Sequence, residues 1–181
     1  LAIQTEPDVY AKLINIDLIA PIWLTQLQLQ RMADAGGGNI VAISSVAGRF
    51  GAPLRTGYCA AKHGLIGYMD ALRTEVSNTH NIHVTNVLPG SVSTNVSRNA
   101  LTADGSTRGT SDNAIDGGDD PANCAKAILD AVEKGEPEII FARGLELELS
   151  KMRHSDPKKL FEMTAAFGDK ISSKFKKREW V

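Results

Sequence analysis

Two short apolar runs, each closed by a turn-forming cluster and separated by one long helical pattern, constrain the fold of this chain most strongly. The first is Asn39-Ile40-Val41-Ala42-Ile43-Ser44-Ser45, and the second is Ile82 to Leu88, closed by Pro89-Gly90. Runs this short and this rich in β-branched residues fit strands buried on both faces, as in a parallel sheet. Between them, Tyr58 to Asn78 reads as a helix, entered from a Gly- and Pro-containing loop at Gly48 to Gly57.

The flanking segments extend the alternation. Pro7 suits a first helical turn, and Tyr10, Leu13, Ile14, Asp17 and Leu18 recur at helical spacing, with the pattern running on through Trp23, Leu24, Leu27 and Leu29 to Met32. Pro21 predicts a bend in this opening helix, and Ala35-Gly36-Gly37-Gly38 predicts its end. Residues 97–120 are polar and weakly patterned, as expected of a substrate loop or lid. Asp120-Pro121 opens a helix through Val132, with an acidic N-cap and a first-turn proline. Glu138-Ile139-Ile140-Phe141 is a short last strand, and residues 157–181 form a basic helical tail carrying Lys170, Lys174, Lys176, Lys177 and Arg178. The order predicts a single α/β domain, a doubly wound parallel sheet with right-handed crossovers.

Composition excludes several functions. A net charge of -1 offers no electrostatic footprint for nucleic acid. No apolar run approaches the roughly 20 residues of a membrane span. Cys59 and Cys124 are far apart and have no metal-type spacing, so reduced core cysteines and a cytoplasmic setting are expected. His63, His80, His83 and His154 show no ligand spacing, and no metal site is expected. The basic tail reads as a solvated face, with Phe161, Phe167, Phe175 and Trp180 offering some apolar surface.

The chemistry concentrates around the two strand ends. Tyr58 and Lys62 stand four apart, on one helix face and one turn from each other. An ammonium held beside a phenol favours the phenolate and lowers a pKa of about 10 toward the working range. Such a tyrosine exchanges protons with a carbinol or carbonyl oxygen. Alone the pair is common. Here Ser44-Ser45 ends a buried strand just upstream, and Pro89-Gly90-x-Val92-x-Thr94 ends the next, both at the edge where open α/β sheets bind ligands. Ser45 is the expected substrate-orienting hydroxyl, and Ser44 an ordinary strand residue.

The run from Asn39 to Val96 resembles the short-chain dehydrogenase/reductase family. The resemblance rests on Ile43-Ser44-Ser45-Val46-Ala47-Gly48, on Tyr58-Cys59-Ala60-Ala61-Lys62-His63-Gly64-Leu65, and on Asn86-Val87-Leu88-Pro89-Gly90-Ser91-Val92-Ser93-Thr94. The wording of Gly57 to His63 and of Leu72-Arg73-Thr74-Glu75 is similar to the branch near the 11β-hydroxysteroid dehydrogenases. It implies a Rossmann-like fold, incomplete here for want of its N-terminal βαβ part, and hydride transfer between NADP or NAD, with NADP favoured, and a carbonyl or secondary alcohol, a hydrophobic ketone or aldehyde being expected. It implies catalytic roles for Ser45, Tyr58 and Lys62. It implies cofactor contacts from Tyr58, Lys62, Pro89, Gly90, Val92 and Thr94, and assembly as a homodimer or homotetramer. Asp17 falls where the family has an Asn that supports a water relay through its main-chain carbonyl. Asp17 is therefore a candidate catalytic residue with an altered side chain. The family's Thr-Gly-x-x-x-Gly-x-Gly turn and its Asn-Asn-Ala-Gly stretch have no counterpart. The chain is expected to cover about two-thirds of a family member. That absence, with Asp17, also leaves room for a non-catalytic dimerisation or binding scaffold.

Overall fold

A computed structural model describes residues 1–175. Three parallel strands, β1 (Gly38–Ile43), β2 (Ile82–Pro89) and β3 (Glu138–Phe141), lie in the order β1-β2-β3. Gly38 pairs with Ile82 and Ile43 with Val87 across the first seam, while Asn86 pairs with Glu138 and Pro89 with Phe141 across the second. Helix α1 (Pro7–Ile14) passes through a π-helical turn (Asn15–Ile19) into α2 (Ala20–Asp34) ahead of β1. Helix α3 (Thr56–His80) joins β1 to β2. A short helix α4 (Asn113–Asp116) and α5 (Pro121–Glu133) lie between β2 and β3, and α6 (Gly144–Ser155) and α7 (Pro157–Phe175) follow β3. This is the expected parallel α/β architecture.

Helix α3 organises the core. Leu65, Met69, Leu72 and Val76 form one stripe down it and pack with Ala42, Ile82 and Val84 of the sheet. That spacing is the face of a helix laid on a sheet. Arg73 fastens the same helix to β2 and to the residue before β3, donating to the Val84 and Pro137 carbonyls at 3.0 and 2.9 Å. Asn81 ends α3 in the left-handed conformation, at φ 53°. Its carbonyl accepts from the Gly38 N–H, and a side chain on Gly37 would meet that carbonyl oxygen at 2.3 Å. Gly37, at φ +133°, supplies both the absent Cβ and the backbone this crossing demands.

The two apolar runs differ in environment. From Val84 to Leu88, β2 is buried at every position, because it has neighbours on both edges and cover on both faces. β1 was expected to be buried likewise and is not. Ala42 is buried against α3, whereas Val41 and Ile43 are 37% and 48% exposed. Side chains alternate faces along a strand. One face of β1 lies under α3, and no described element covers the other.

The opening helix also departs from its expectation. It is continuous to Asp34, and its irregularity is the π-turn just before Pro21 instead of a break at the proline itself. Pro21 has no N–H for the Asp17 carbonyl four residues back, so the regular ladder fails there. The Ala20 N–H instead reaches the Asn15 carbonyl, one residue further than in an α-helix.

Residues 97–120 are more structured than their pattern indicates. Leu101 bridges Thr107 around a tight turn. There the Thr102 hydroxyl and the Ser106 N–H hold the exposed Asp104 carboxyl down to about 2. The Ala103 carbonyl accepts from the Glu6 N–H at 2.9 Å, docking the turn beside α1. Helix α5 begins as expected, with the Asp120 carboxylate accepting from the Ala122 N–H. Asp120→Ala should cost about 1 kcal/mol of stability, read as a lowered Tm. Of the tail, residues 176–181 and the side chains of Lys174 and Phe175 lie outside what is described.

Among the described residues no helix is long and apolar enough to cross a membrane. No group of three or more His, Cys, Asp or Glu among them is placed to hold a metal ion.

Candidate active site

The carboxyl end of β1, the first turns of α3 and the end of β2 converge on one point. β1 delivers Ser44 and Ser45, and the chain then makes a single 3-10 turn (Val46–Gly48) that the Ser45 hydroxyl caps by accepting from the Ala47 N–H at 3.1 Å. The two serines divide cleanly. Ser44 is buried and donates to the Lys62 carbonyl at 3.0 Å, bracing α3 against the strand end. Gly48 completes this contact, since a side chain there would meet Ser44 Oγ at 2.8 Å and the Lys62 carbonyl at 2.9 Å. Ser45 is the one that faces the site, its hydroxyl donating to the Pro89 carbonyl at 3.3 Å and so linking the two strand ends.

Tyr58 and Lys62 share one face of α3, as their spacing predicts. Lys62 Nζ stands 5.5 Å from the centre of the Tyr58 ring. The same Nζ donates to the Ile43 carbonyl at 3.2 Å and lies 3.3 Å from the Asp17 carboxylate. Lys62 is thus buried, and the π-turn brings Asp17 into the site. Gly64 allows the approach, because a Cβ there would meet Leu18 of that turn at 2.9 Å.

The electrostatics differ from the expected pattern. Tyr58 was expected to be acidified by Lys62. Instead its phenol is pushed above the ordinary tyrosine value, chiefly because burial penalises the charged form. The Ser45 hydroxyl opposes this, the Asp17 carboxylate adds to it, and Arg55 works against it. Lys62 lies over the ring and beside the Asp17 carboxylate. Cys59, next to Tyr58, is a buried free thiol whose sulfur accepts from the Ala52 N–H, and burial raises its pKa too. It packs, as expected, and is not poised as a nucleophile.

Ser45, Tyr58, Lys62 and Asp17 are therefore brought together, with Pro89 joined to them through its carbonyl. Gly90 follows at the strand end, where its N–H donates to the Phe141 carbonyl at 2.9 Å. Val92 and Thr94 stand further along. Val92 bridges to Asp119, and Thr94 is exposed, its hydroxyl accepting from the Val96 N–H at 3.4 Å.

Two side chains near the site escaped the sequence reading. Arg55, just before α3, lies 3.6 Å from Asp112. Glu146 of α6 accepts from the Ser91 N–H at 2.8 Å and from the Ser91 hydroxyl at 2.9 Å, closing over the Pro89-Gly90 turn. Arg55 precedes a helix start and was open to notice. Glu146 had no local signal, since its partner is distant in sequence and α6 itself was not foreseen.

Comparison with known proteins identifies the family. Residues 2–105 match the family model described as short chain dehydrogenase. A zebrafish (Danio rerio) protein named dehydrogenase/reductase SDR family member 7B is 40% identical over 140 residues, covering 77% of this chain and 45% of that protein. Its bovine (Bos taurus) namesake is 35% identical over 164 residues, covering 91% and 50%. The chain thus spans about half the length of these curated relatives, less than the two-thirds expected. A short-chain dehydrogenase from Sphingobium yanoikuyae in complex with NADPH superimposes with a TM-score of 0.64 at 25% identity, over 76% of this chain and 50% of that one. One from Burkholderia cenocepacia reaches 0.71 at 19% identity, over 88% and 60%, a likeness of fold. With its family model, its parallel sheet and its Ser-Tyr-Lys cluster in agreement, the chain belongs to the short-chain dehydrogenase family.

Proposed function

We propose that this chain carries the proton-transfer side of a nicotinamide-dependent oxidoreductase acting on a carbonyl or secondary alcohol. The observation that carries the reading is the convergence of Ser45, Tyr58 and Lys62 at the carboxyl edge of a parallel sheet, the edge where such folds bind ligands. Tyr58 Oη gives its proton to the substrate oxygen in reduction and takes it back in oxidation. Ser45 Oγ exchanges its bond to the Pro89 carbonyl for one to that oxygen, holding it beside Tyr58. Lys62 is anchored by the Ile43 carbonyl and Asp17 and keeps one further N–H to offer.

The residues present suit the nicotinamide end of a cofactor. In this reading Lys62 would hold a ribose hydroxyl, and the segment from Pro89 and Gly90 to Val92 and Thr94 would line the ring and its carboxamide. A nicotinamide held there would supply or take the hydride, chemistry that belongs to the cofactor. A glycine-rich cradle for the phosphates is not in the sequence. NADP(H) is favoured over NAD(H) on the family resemblance, with the Sphingobium relative holding NADPH and a 4-hydroxyisoleucine dehydrogenase of equal identity holding NADH. A homodimer or homotetramer is the favoured assembly, supported by Ala60 and Gly67 on the open face of α3, where nothing lies within 4 Å of a Cβ built on Gly67.

Titrating NADPH and NADH into the 181-residue chain by calorimetry tests cofactor capture. Saturable binding supports the oxidoreductase, and absence of both favours a binding scaffold. In the complete protein, Ser45→Ala should lower kcat about 10²-fold, the scale of a lost transition-state donor. Ser44→Ala should instead cost about 1 kcal/mol of stability through one buried hydrogen bond and spare most turnover. Equal turnover losses in the two would reject the assignment of Ser45.

A further inference from the structure

We propose that Asp17 is the counter-ion of Lys62 and, by offsetting that charge, keeps Tyr58 in its protonated, proton-donating form. The inference rests on the reading of Tyr58 as the proton-transfer group, and it concerns which form of that group the site favours.

The geometry is specific. Asp17 Oδ1 lies 3.3 Å from Lys62 Nζ, with the two side chains 24% and 11% exposed, so water screens the pair only in part. An ammonium beside a carboxylate acts on its surroundings as a dipole. Its field on the Tyr58 ring, 5.5 Å away, falls accordingly. An asparagine at this position would be neutral and would leave the lysine charge whole.

The position of Asp17 is imposed from outside the pair. Pro21 withholds the N–H that the Asp17 carbonyl would take in a regular helix, and the π-turn results. Leu18 packs against Gly64, two residues beyond Lys62, and seats that turn on α3. The carboxylate is therefore part of the packed structure.

The charges facing Tyr58 follow one pattern. Asp17 faces it from the π-turn, Arg55 from the loop before α3, Ser45 from the end of β1, and Cys59 and Lys62 from its own helix. Both cations lie beside an acid: Lys62 beside Asp17, and Arg55 beside Asp112, which it shares with Arg108, each at 3.6 Å. The charge of Arg55 is thus offset only in part, and it still pulls the phenol down. Burial then prevails, and the direction in which Tyr58 is shifted agrees, with Asp17 among its causes. A protonated Tyr58 is ready to donate, which suits carbonyl reduction at neutral pH. Alcohol oxidation needs the phenolate and moves to higher pH.

The test is a pH titration of the chain, following tyrosinate absorbance or the ring carbon resonance of labelled tyrosine, with Tyr58→Phe as the blank that isolates Tyr58. Wild-type Tyr58 should titrate above the ordinary tyrosine value of 10.0. Asp17→Asn should move that titration to lower pH, while Asp17→Glu, which keeps the charge, should stay near wild type. Asp112→Asn, which releases Arg55 together with Arg108 and leaves the π-turn alone, should shift it in the same direction as Asp17→Asn. An Asp17→Asn titration that is unmoved or raised overturns the proposal. Should that variant fail to fold, a wild-type Tyr58 titrating at or below 10.0 overturns it equally. None of these readings depends on turnover. A shifted titration beside an active Tyr58→Phe enzyme would therefore reject the catalytic role and keep the electrostatic one.

Discussion

Tyr58→Phe in the complete protein should lower kcat by about 10²- to 10⁴-fold, the range a positioned general acid-base group contributes. The substitution removes one oxygen and keeps the ring, so the packing of the first turn of α3 and the contact with Lys62 Nζ at 5.5 Å from the ring centre survive. Cofactor affinity should change little, because Lys62 and the Pro89-Gly90 turn are untouched. The diagnostic result is that split: turnover collapses while the NADPH titration and Tm stay close to wild type. Turnover within about threefold of wild type would remove Tyr58 from the mechanism and with it the proposed reaction.

Leu65→Ala should be the most damaging of single truncations to stability, at about 3 kcal/mol within the 2–5 kcal/mol range for such changes. Leu65 is 1% exposed and sits where α3 meets Ala42 and Val84. Truncation leaves a cavity that α3 cannot easily close. The helix is fixed to the sheet on both sides of Leu65, by Ser44 holding the Lys62 carbonyl and by Arg73 holding the Val84 carbonyl. Total stability of a domain is commonly 5–15 kcal/mol, so the loss should be plain in a urea titration as a lower midpoint. It should also reach the site, because Lys62 lies one turn away on the same helix. A midpoint displaced by less than about 1 kcal/mol would mean that the stripe is not the principal core.

Much of this arrangement was legible before the structure. The strands β2 and β3, the helix α3 and the capped start of α5 follow from local signals: β-branched runs, a long apolar periodicity, and Asp120 before Pro121. The grouping of Ser45, Tyr58 and Lys62 was legible because two of them are one helical turn apart and the third ends a strand that must lie beside that helix. Exposure was less legible. The runs in β1 and β2 look alike, and only sheet order distinguishes a strand with two neighbours from one with a single neighbour. The acidity of Tyr58 was misread for a related reason. Spacing on one helix gives proximity to Lys62, but the carboxylate that offsets Lys62 comes from another element. The proline that sets it there read as a bend in place of a widened turn. Glu146 lay beyond reach because nothing near it in sequence announces its partner, Ser91.

The π-turn has a further consequence for helix packing. Tyr10 and Leu13 of α1 lie against Gly57 of α3, while Leu29 and Met32 of α2 pack into the core beneath the same helix. Nineteen residues separate Tyr10 from Leu29, and the same number separate Leu13 from Met32. At 3.6 residues per turn that interval overshoots five whole turns by about 100°, the rotation of a single residue. An unbroken α-helix would point the two apolar stripes in different directions, and one of them would miss its partner. The single residue absorbed at Asn15–Ile19 acts as a phase shifter that brings both stripes onto one side. A deletion of one residue in that turn, even one that spared Asp17, would return the helix to regular winding and force it to choose which half to bury.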